Sequence, residues 1–183
     1  SERLMEQCYA CHALRAPLRD GIELGEPFLD QFKPELLRAP FYSETGQIKE
    51  EVFVYGSFEQ SRMRAAGVQC IDCHDPHTAN LRAEGDALCA SCHQSDVYEA
   101  PSHHAHPPSA NLECVDCHMP GKMYMGVDFR RDHQFARPDP VLAKELGGRD
   151  VCQDCHEDRF IAWQEIKKKA QATMLPGAQR VLI

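Results

Sequence analysis

The sequence predicts a mainly α fold with extensive irregular chain, and something other than side chains is expected to fill much of the interior. Twelve prolines and eleven glycines among 183 residues argue against long regular elements. The hydrophobic fraction of 43% includes ten cysteines, so few large aliphatic residues remain to build a core. A chain of this length forms one or two domains, and we expect a single unit over 1–183.

Local signals predict few helices. A C-terminal helix is expected over 159–176, which is rich in good helix formers and is closed by Pro176-Gly177. A second helix is expected from Ser57 to Ala66, because Ser57–Gln60 fits a capping box and Gly67 fits a C-cap. Residues 13–40 contain four prolines and are expected to be mostly irregular.

Charge and hydropathy exclude some classes of partner. The formal net charge of −8 disfavours nucleic acid and anionic membranes. No apolar run approaches the ~18–20 residues that a bilayer-spanning helix needs, so no transmembrane segment is expected. The short basic run Lys167–Lys169 is interpreted as a solvated helix end rather than a binding patch.

All ten cysteines fall into Cys-x-x-Cys pairs, and a histidine follows every pair. The five motifs are Cys8–His12, Cys70–His74, Cys89–His93, Cys114–His118 and Cys152–His156. This pentapeptide is typical of covalent attachment of c-type haem. Two thiols add across the two vinyl groups of one porphyrin, and the histidine supplies an axial nitrogen to the iron. The sequence therefore predicts five haem c groups.

Each motif assigns three side chains to one haem. The predicted thioether residues are Cys8, Cys11, Cys70, Cys73, Cys89, Cys92, Cys114, Cys117, Cys152 and Cys155. The predicted proximal iron ligands are His12, His74, His93, His118 and His156. No catalytic residue is predicted.

Three other interpretations of the cysteines are weaker. A disulfide scaffold has no reason to place a histidine after every second cysteine. Thioredoxin-like redox pairs normally occur once, at a strand-to-helix turn. Zinc sites that use Cys-x-x-Cys have their histidines further along the chain. Five motifs that consume every cysteine favour haem attachment over all three.

Five histidines remain outside the motifs, which is one for each predicted iron. The count predicts bis-histidine ligation throughout, with low potentials and a closed sixth site that favours electron transfer over substrate binding. The predicted distal ligands are His77, His103, His104, His106 and His133.

The distal histidines are not equivalent. His77 lies three residues past a proximal ligand, so it is predicted to serve a neighbouring haem rather than its own. In extended chain His103 and His104 point to opposite faces and could ligate two different haems, while His106 takes a third or is spare. Methionine could replace one histidine, although methionines near haems more often pack. The methionine candidates are Met63, Met119, Met123 and Met125.

The motifs divide the chain unevenly. Residues 1–69 carry the first haem and a haem-poor segment, and residues 70–160 form a dense four-haem region before the helix over 159–176. Few residues are available to wrap each porphyrin, so we expect the polypeptide to enclose a closely packed haem array. Closely spaced rings make electron transfer between them fast.

Several segments resemble multihaem cytochromes that carry a C-terminal tetratricopeptide-repeat region. The segments are Gly46–Ile48, Glu51–Phe58, Cys70–His77, Leu88–His93, His103–His106, Cys114–Pro120, Tyr124–Met125, Val127–Asp128, Arg130–His133 and Arg137–Pro140. The resemblance implies an exported protein, periplasmic or at the cell surface, with clustered haems and a role in respiratory or extracellular electron transfer. Such proteins usually continue into helical repeats, and whether a repeat region has been lost here stays open.

The leading interpretation is an electron carrier, not an enzyme, that exchanges electrons with other redox proteins or with like subunits. One alternative is a subunit of a polymeric extracellular cytochrome filament. A second is a multihaem reductase with one open haem site, which the sufficient number of histidines disfavours.

We expect five haems in the mature protein. A pyridine haemochrome assay combined with the intact mass measures their number directly. Bare thiols or bound zinc in place of the added iron-porphyrin mass would contradict the haem interpretation.

Overall fold

The computed structural model describes residues 2–156. In this range only α1 is longer than six residues. The helices are α1 Glu2–His12, α2 Phe28–Gln31, α3 Tyr55–Glu59, α4 Arg62–Ala65, α5 Cys70–Cys73, α6 Asp86–Ala90, α7 Ser95–Tyr98, α8 Pro101–His104, α9 Cys114–His118 and α10 Pro140–Glu145. Two short 3-10 helices cover Pro108–Ala110 and Val151–Asp154. The extensive irregular chain is as predicted. That helix predominates stays a prediction, and the helix expected over 159–176 lies outside the described residues.

The strands form two separate antiparallel pairs. Their bounds are β1 Arg15–Pro17, β2 Phe32–Pro34, β3 Gly121–Tyr124 and β4 Asp128–Arg131. In the first pair Ala16 lies opposite Lys33, and in the second Met123 lies opposite Phe129. Within 13–40 the structure forms only β1, α2 and β2, so the expectation of mostly irregular chain is confirmed. In a two-stranded pair both strands are edge strands, so a proline there does not remove a hydrogen bond that a central strand would need.

Side chains alone build one core, and it lies in the N-terminal part of the chain. Its buried members are Met5, Tyr9, Ala10, Ala13, Phe28, Phe32 and Phe58. The ring of Tyr9 meets that of Tyr55 edge-on at 4.6 Å and that of Phe28 at 5.8 Å. Because Tyr9 lies between the two cysteines of the first Cys-x-x-Cys-His motif, this core fixes the position of that motif.

The segment 62–131 has no buried residue, although it contains three of the five motifs. Buried side chains reappear at Asp132, Pro140, Ala143 and Asp150. The polypeptide by itself therefore builds no interior over this segment, as the shortage of aliphatic residues had indicated.

The helix predicted from Ser57 to Ala66 is instead two helices. Ser57 lies inside α3 and is completely buried, so it is not a cap. The chain bends at Ser61, whose hydroxyl accepts a hydrogen bond from the Arg64 N–H at 3.0 Å and so caps α4. The predicted stop is confirmed: Gly67 has a φ of +94°, which few other residues tolerate.

Gln31 joins the turn before α2 to the first strand pair. Its Oε1 accepts from the Glu23 N–H at 2.8 Å, and its Nε2 donates to the carbonyls of Glu23 and Glu26, each at 3.1 Å. The side chain is 3% exposed, so water cannot easily replace it. These bonds hold the loop against α1.

Replacing Gln31 by Leu should destabilise this loop by about 1–3 kcal/mol, because three backbone groups lose a buried partner. Hydrogen exchange at the Glu23 amide in the intact protein measures the effect as a lower free energy of local opening. Leu29→Ala is the matched control: Leu29 lies on the same helix but is 58% exposed, and its loss should change the opening free energy by no more than about 0.5 kcal/mol. Equal effects of the two substitutions would show that Gln31 does not hold the loop.

Candidate functional site

Each Cys-x-x-Cys-His motif forms a single helical turn. The N–H of the motif histidine donates to the carbonyl of the first cysteine in the second, third and fifth motifs, at 2.9, 2.9 and 3.1 Å. The first motif ends α1 and the fourth forms α9. On a helix, residues three and four positions apart share a face. Both thiols and the histidine of each motif are thus presented on the same side, as attachment to one porphyrin requires.

In three motifs, one of the two residues between the cysteines helps to form the turn. A carboxylate oxygen of Asp72 accepts a hydrogen bond from the Gln69 N–H at 2.7 Å, and a carboxylate oxygen of Asp116 accepts one from the Glu113 N–H at 3.0 Å. In the fifth motif the amide oxygen of Gln153 accepts from the Asp150 N–H at 2.8 Å. These side chains satisfy backbone donors that begin the turn.

The thiols have the environment of attachment residues rather than of reactive cysteines. Burial raises the pKa of Cys70 to about 11, and burial followed by a hydrogen bond with Asp86 raises that of Cys114 to about 12. Redox-active cysteines instead have lowered pKa values. All ten cysteines lie in the described residues and none forms a disulfide.

Three pairs of imidazole rings with centres about 6 Å apart join a motif histidine to a predicted distal histidine. A fourth pair of similar geometry joins two predicted distal histidines, His104 and His106, at 5.9 Å and 30°. The ring centres of His74 and His133 are 6.3 Å apart with an interplanar angle of 25°. His103 and His118 are 6.0 Å apart at 20°. The third pair, His106 with His156, is 5.9 Å apart at 35°.

This spacing fits one iron between two imidazole nitrogens. A bond from a first-row metal to an imidazole nitrogen is about 2.0–2.1 Å long, and the ring centre lies about 1.1 Å beyond that nitrogen, so two axial rings have centres about 6.3 Å apart. The observed separations of 5.9–6.3 Å agree with this value. The ring separations therefore fit axial ligation of haem iron, but His104 and His106 have the same spacing, so separation alone does not assign two rings to one iron.

Hydrogen bonds orient two of these rings. His133 Nδ1–H donates to the Arg131 carbonyl at 3.0 Å, and His118 Nδ1–H donates to the Ala136 carbonyl at 3.0 Å. With Nδ1 protonated, Nε2 keeps the lone pair that a metal needs. Such outer contacts fix the tautomer and raise the basicity of the ligand.

Burial prepares two distal rings for ligation. Burial is the main cause that lowers the pKa of His133 and the pKa of His103, and the charges of neighbouring histidines lower both pKa values further. A hydrogen bond to the Arg131 carbonyl acts in the opposite direction on His133. Iron binds the neutral imidazole, so a lowered pKa keeps the ligand form populated at neutral pH.

Four of the ten histidines are not paired in this way. Among the described residues no facing ring contact joins His12 to His77 or His93 to His104. His77 is exposed. Both ring nitrogens of His104 have main-chain partners: Nε2 bonds with the Glu99 carbonyl at 3.2 Å, and Nδ1 accepts from the His106 N–H at 3.1 Å. The distal roles of all five histidines stay predictions, and those of His77 and His104 have no ring pair with a motif histidine among the described residues to support them.

Two residues near the histidine pairs were missed by the sequence analysis. The ring of Tyr98 lies edge-on to His93 at 5.3 Å and to His103 at 5.1 Å, so it bridges the third motif and the distal ligand of the fourth. Asp132 is buried and accepts from the Ile48 N–H at 3.0 Å and the Gln134 N–H at 2.9 Å. Only its position next to His133 could have indicated its role.

Comparisons with known proteins agree with this site. Residues 63–98, which hold the second and third motifs, match the family described as doubled CXXCH motif. The fold resembles that of the outer cell wall cytochrome OcwA, with a TM-score of 0.57 and 18% sequence identity over 84% of this chain and 48% of that one. This chain thus spans about half the length of OcwA. No curated protein sequence matches it.

The fold and the motifs support a multihaem c-type cytochrome. The CXXCH motifs indicate covalently bound haem c. No helix within residues 2–156 is long and apolar enough to cross a bilayer.

Asp132→Ala should loosen the bond between His133 and iron, because it removes both hydrogen bonds that hold the adjacent backbone. Loss of such outer contacts typically weakens ligation 10–100-fold, so we expect one haem to bind cyanide or carbon monoxide more tightly by about that factor. Absorption titration measures this affinity.

Asp132→Asn keeps one oxygen acceptor and should show a smaller change. Asp128→Ala removes an ion pair with Arg130 on the same strand pair and should leave ligand binding unaltered. Asp132→Ala with wild-type affinity would show that Asp132 does not position His133.

Proposed function

We propose that this chain is an electron carrier that moves electrons along five c-type haems, mostly with bis-histidine ligation, in respiratory or extracellular electron transfer. The observation that supports this best is the set of three facing histidine pairs at 5.9–6.3 Å. The one-electron chemistry is supplied by the haem iron when it is bound. The polypeptide supplies attachment, orientation and exclusion of other ligands.

These pairs support axial ligands for three of the five proposed sites. The second motif takes His74 and His133, the fourth takes His118 and His103, and the fifth takes His156 and His106. His12 and His93 are the proximal ligands of the first and third motifs, and His77 and His104 are their proposed distal ligands. A site closed by two imidazoles has no position for a substrate and a low potential, which favours electron transfer.

An exported location is part of the proposal. OcwA is described as an outer cell wall cytochrome, and its fold is shared by most of this chain. The acidic net charge of −8 favours soluble redox proteins or like subunits as partners over nucleic acid or anionic membranes.

Replacing His103, His106 or His133 by Ala, one at a time, should convert one ferric haem in five from low to high spin. Electron paramagnetic resonance and magnetic circular dichroism of the oxidised protein measure the fraction. Lys33→Ala, at an exposed position on β2, is the control and should keep the wild-type spectrum. Unchanged low-spin spectra in all three histidine variants would contradict the ligand assignment.

A reductase with one open haem is the second candidate, and the state of His104 favours it. Because both of its ring nitrogens bond to the main chain, His104 must exchange the Glu99 contact before Nε2 can reach an iron. If it does not, the third site keeps an exchangeable position. A wild-type high-spin fraction near one haem in five that shifts with nitrite or cyanide would establish this candidate. A fully low-spin protein that ignores both anions would reject it.

Assembly into a conducting filament remains a further proposal, which electron microscopy tests. Only dispersed monomers at high protein concentration would reject it.

A further inference from the structure

Residues of different motifs lie next to one another. Cys70 of the second motif packs against the N-terminal core, which contains Tyr9 of the first motif. This packing joins the first motif to the second.

The second motif contacts the segment that leads into the third. The Arg82 N–H donates to the Cys73 carbonyl at 2.9 Å, and Arg82 lies shortly before α6, which carries part of the third motif.

Packing between helices joins the third motif to the fourth and the fourth motif to the fifth. Helix α6, which carries part of the third motif, contacts α9 of the fourth, and α9 contacts the 3-10 helix of the fifth. The carboxylate of Asp86 on α6 accepts from the Cys114 N–H at 2.9 Å. The third, fourth and fifth motifs are therefore joined in order by contacts that involve the main chain.

Ring contacts support the link between the third and fourth motifs. His103 faces His118 of the fourth motif and meets Tyr98, which also contacts His93 of the third.

We propose that the five haem sites form one unbranched series whose order in space follows the order of the motifs in the sequence. The sites of the first and fifth motifs are then its two ends, and each internal site has two neighbours. This inference rests on the proposed function, since it requires five attached haems.

One contact provides a rival order. The rings of His104 and His106 are 5.9 Å apart, so if His104 serves the third site, the third and fifth sites could be direct neighbours. The array would then be branched near its end. The experiment must separate these two arrangements.

Methionine in place of one distal histidine marks a single site, because histidine–methionine ligation raises the potential of that haem. His133→Met, His103→Met and His106→Met mark the second, fourth and fifth sites. In a poised partial reduction the marked haem alone becomes ferrous and diamagnetic, and its magnetic coupling to ferric neighbours is lost. Electron paramagnetic resonance then counts the ferric haems whose signals change.

We expect two altered haems in His133→Met, two in His103→Met and one in His106→Met. Two altered haems in His106→Met would favour the branched array, and one in His133→Met would break the series; either result overturns the proposal. Lys33→Met adds a methionine at an exposed position away from the histidine pairs and should alter none.

A crystal or cryo-electron microscopy structure of the mature protein is the second measurement, and it applies even if a variant fails to mature. The four shortest iron–iron distances should join consecutive motifs, and any other pairing among them overturns the series. A haem count of five with mostly low-spin irons confirms the proposed function whatever the order is, so the two proposals fail separately.

Discussion

Under the proposed ligation, two imidazole rings that share an iron must direct a nitrogen at the metal with ring centres about 6 Å apart, and this requirement constrains most of the chain. Two of the three pairs join distant parts of the chain, His74 with His133 and His106 with His156. These two pairs close long loops, which costs conformational entropy, whereas His103 and His118 are close in sequence. Short helices and two strand pairs provide little packing to offset that cost, so the axial bonds are expected to contribute a large part of the tertiary structure.

The motifs share one local structure that prepares them for this arrangement. Every motif is one helical turn, and in three of them a side chain between the cysteines, such as Asp72 or Asp116, caps the turn through the preceding backbone. Main-chain carbonyls of Arg131 and Ala136 then orient the rings that must face each other. The same residues thus form the secondary structure and prepare the ligands, so a substitution at a cap should affect both.

The attachment chemistry could be predicted from the sequence because a covalent bond demands a fixed spacing of residue types. The number of axial histidines stays a prediction, and the sequence did not indicate which ring lies beside which motif, since pairing depends on contacts between distant segments. The same limit applies to Asp132, whose partner Ile48 is far away in the chain. Local errors had local causes: Ser57 and Ser61 both suit a cap, and only burial of Ser57 in the N-terminal core decides between them.

The unburied segment 62–131 has a consequence for biogenesis. Side chains in this stretch form no interior of their own, whereas the N-terminal core is formed by aromatic side chains that pack on one another. If haems attach at the middle motifs as proposed, their apolar faces would supply an interior there, and folding of the stretch would be coupled to attachment, much as metal uptake and folding are a single event in small metalloproteins. A cell that runs short of haem would then accumulate a precursor that is ordered at one end and sensitive to proteases in the middle.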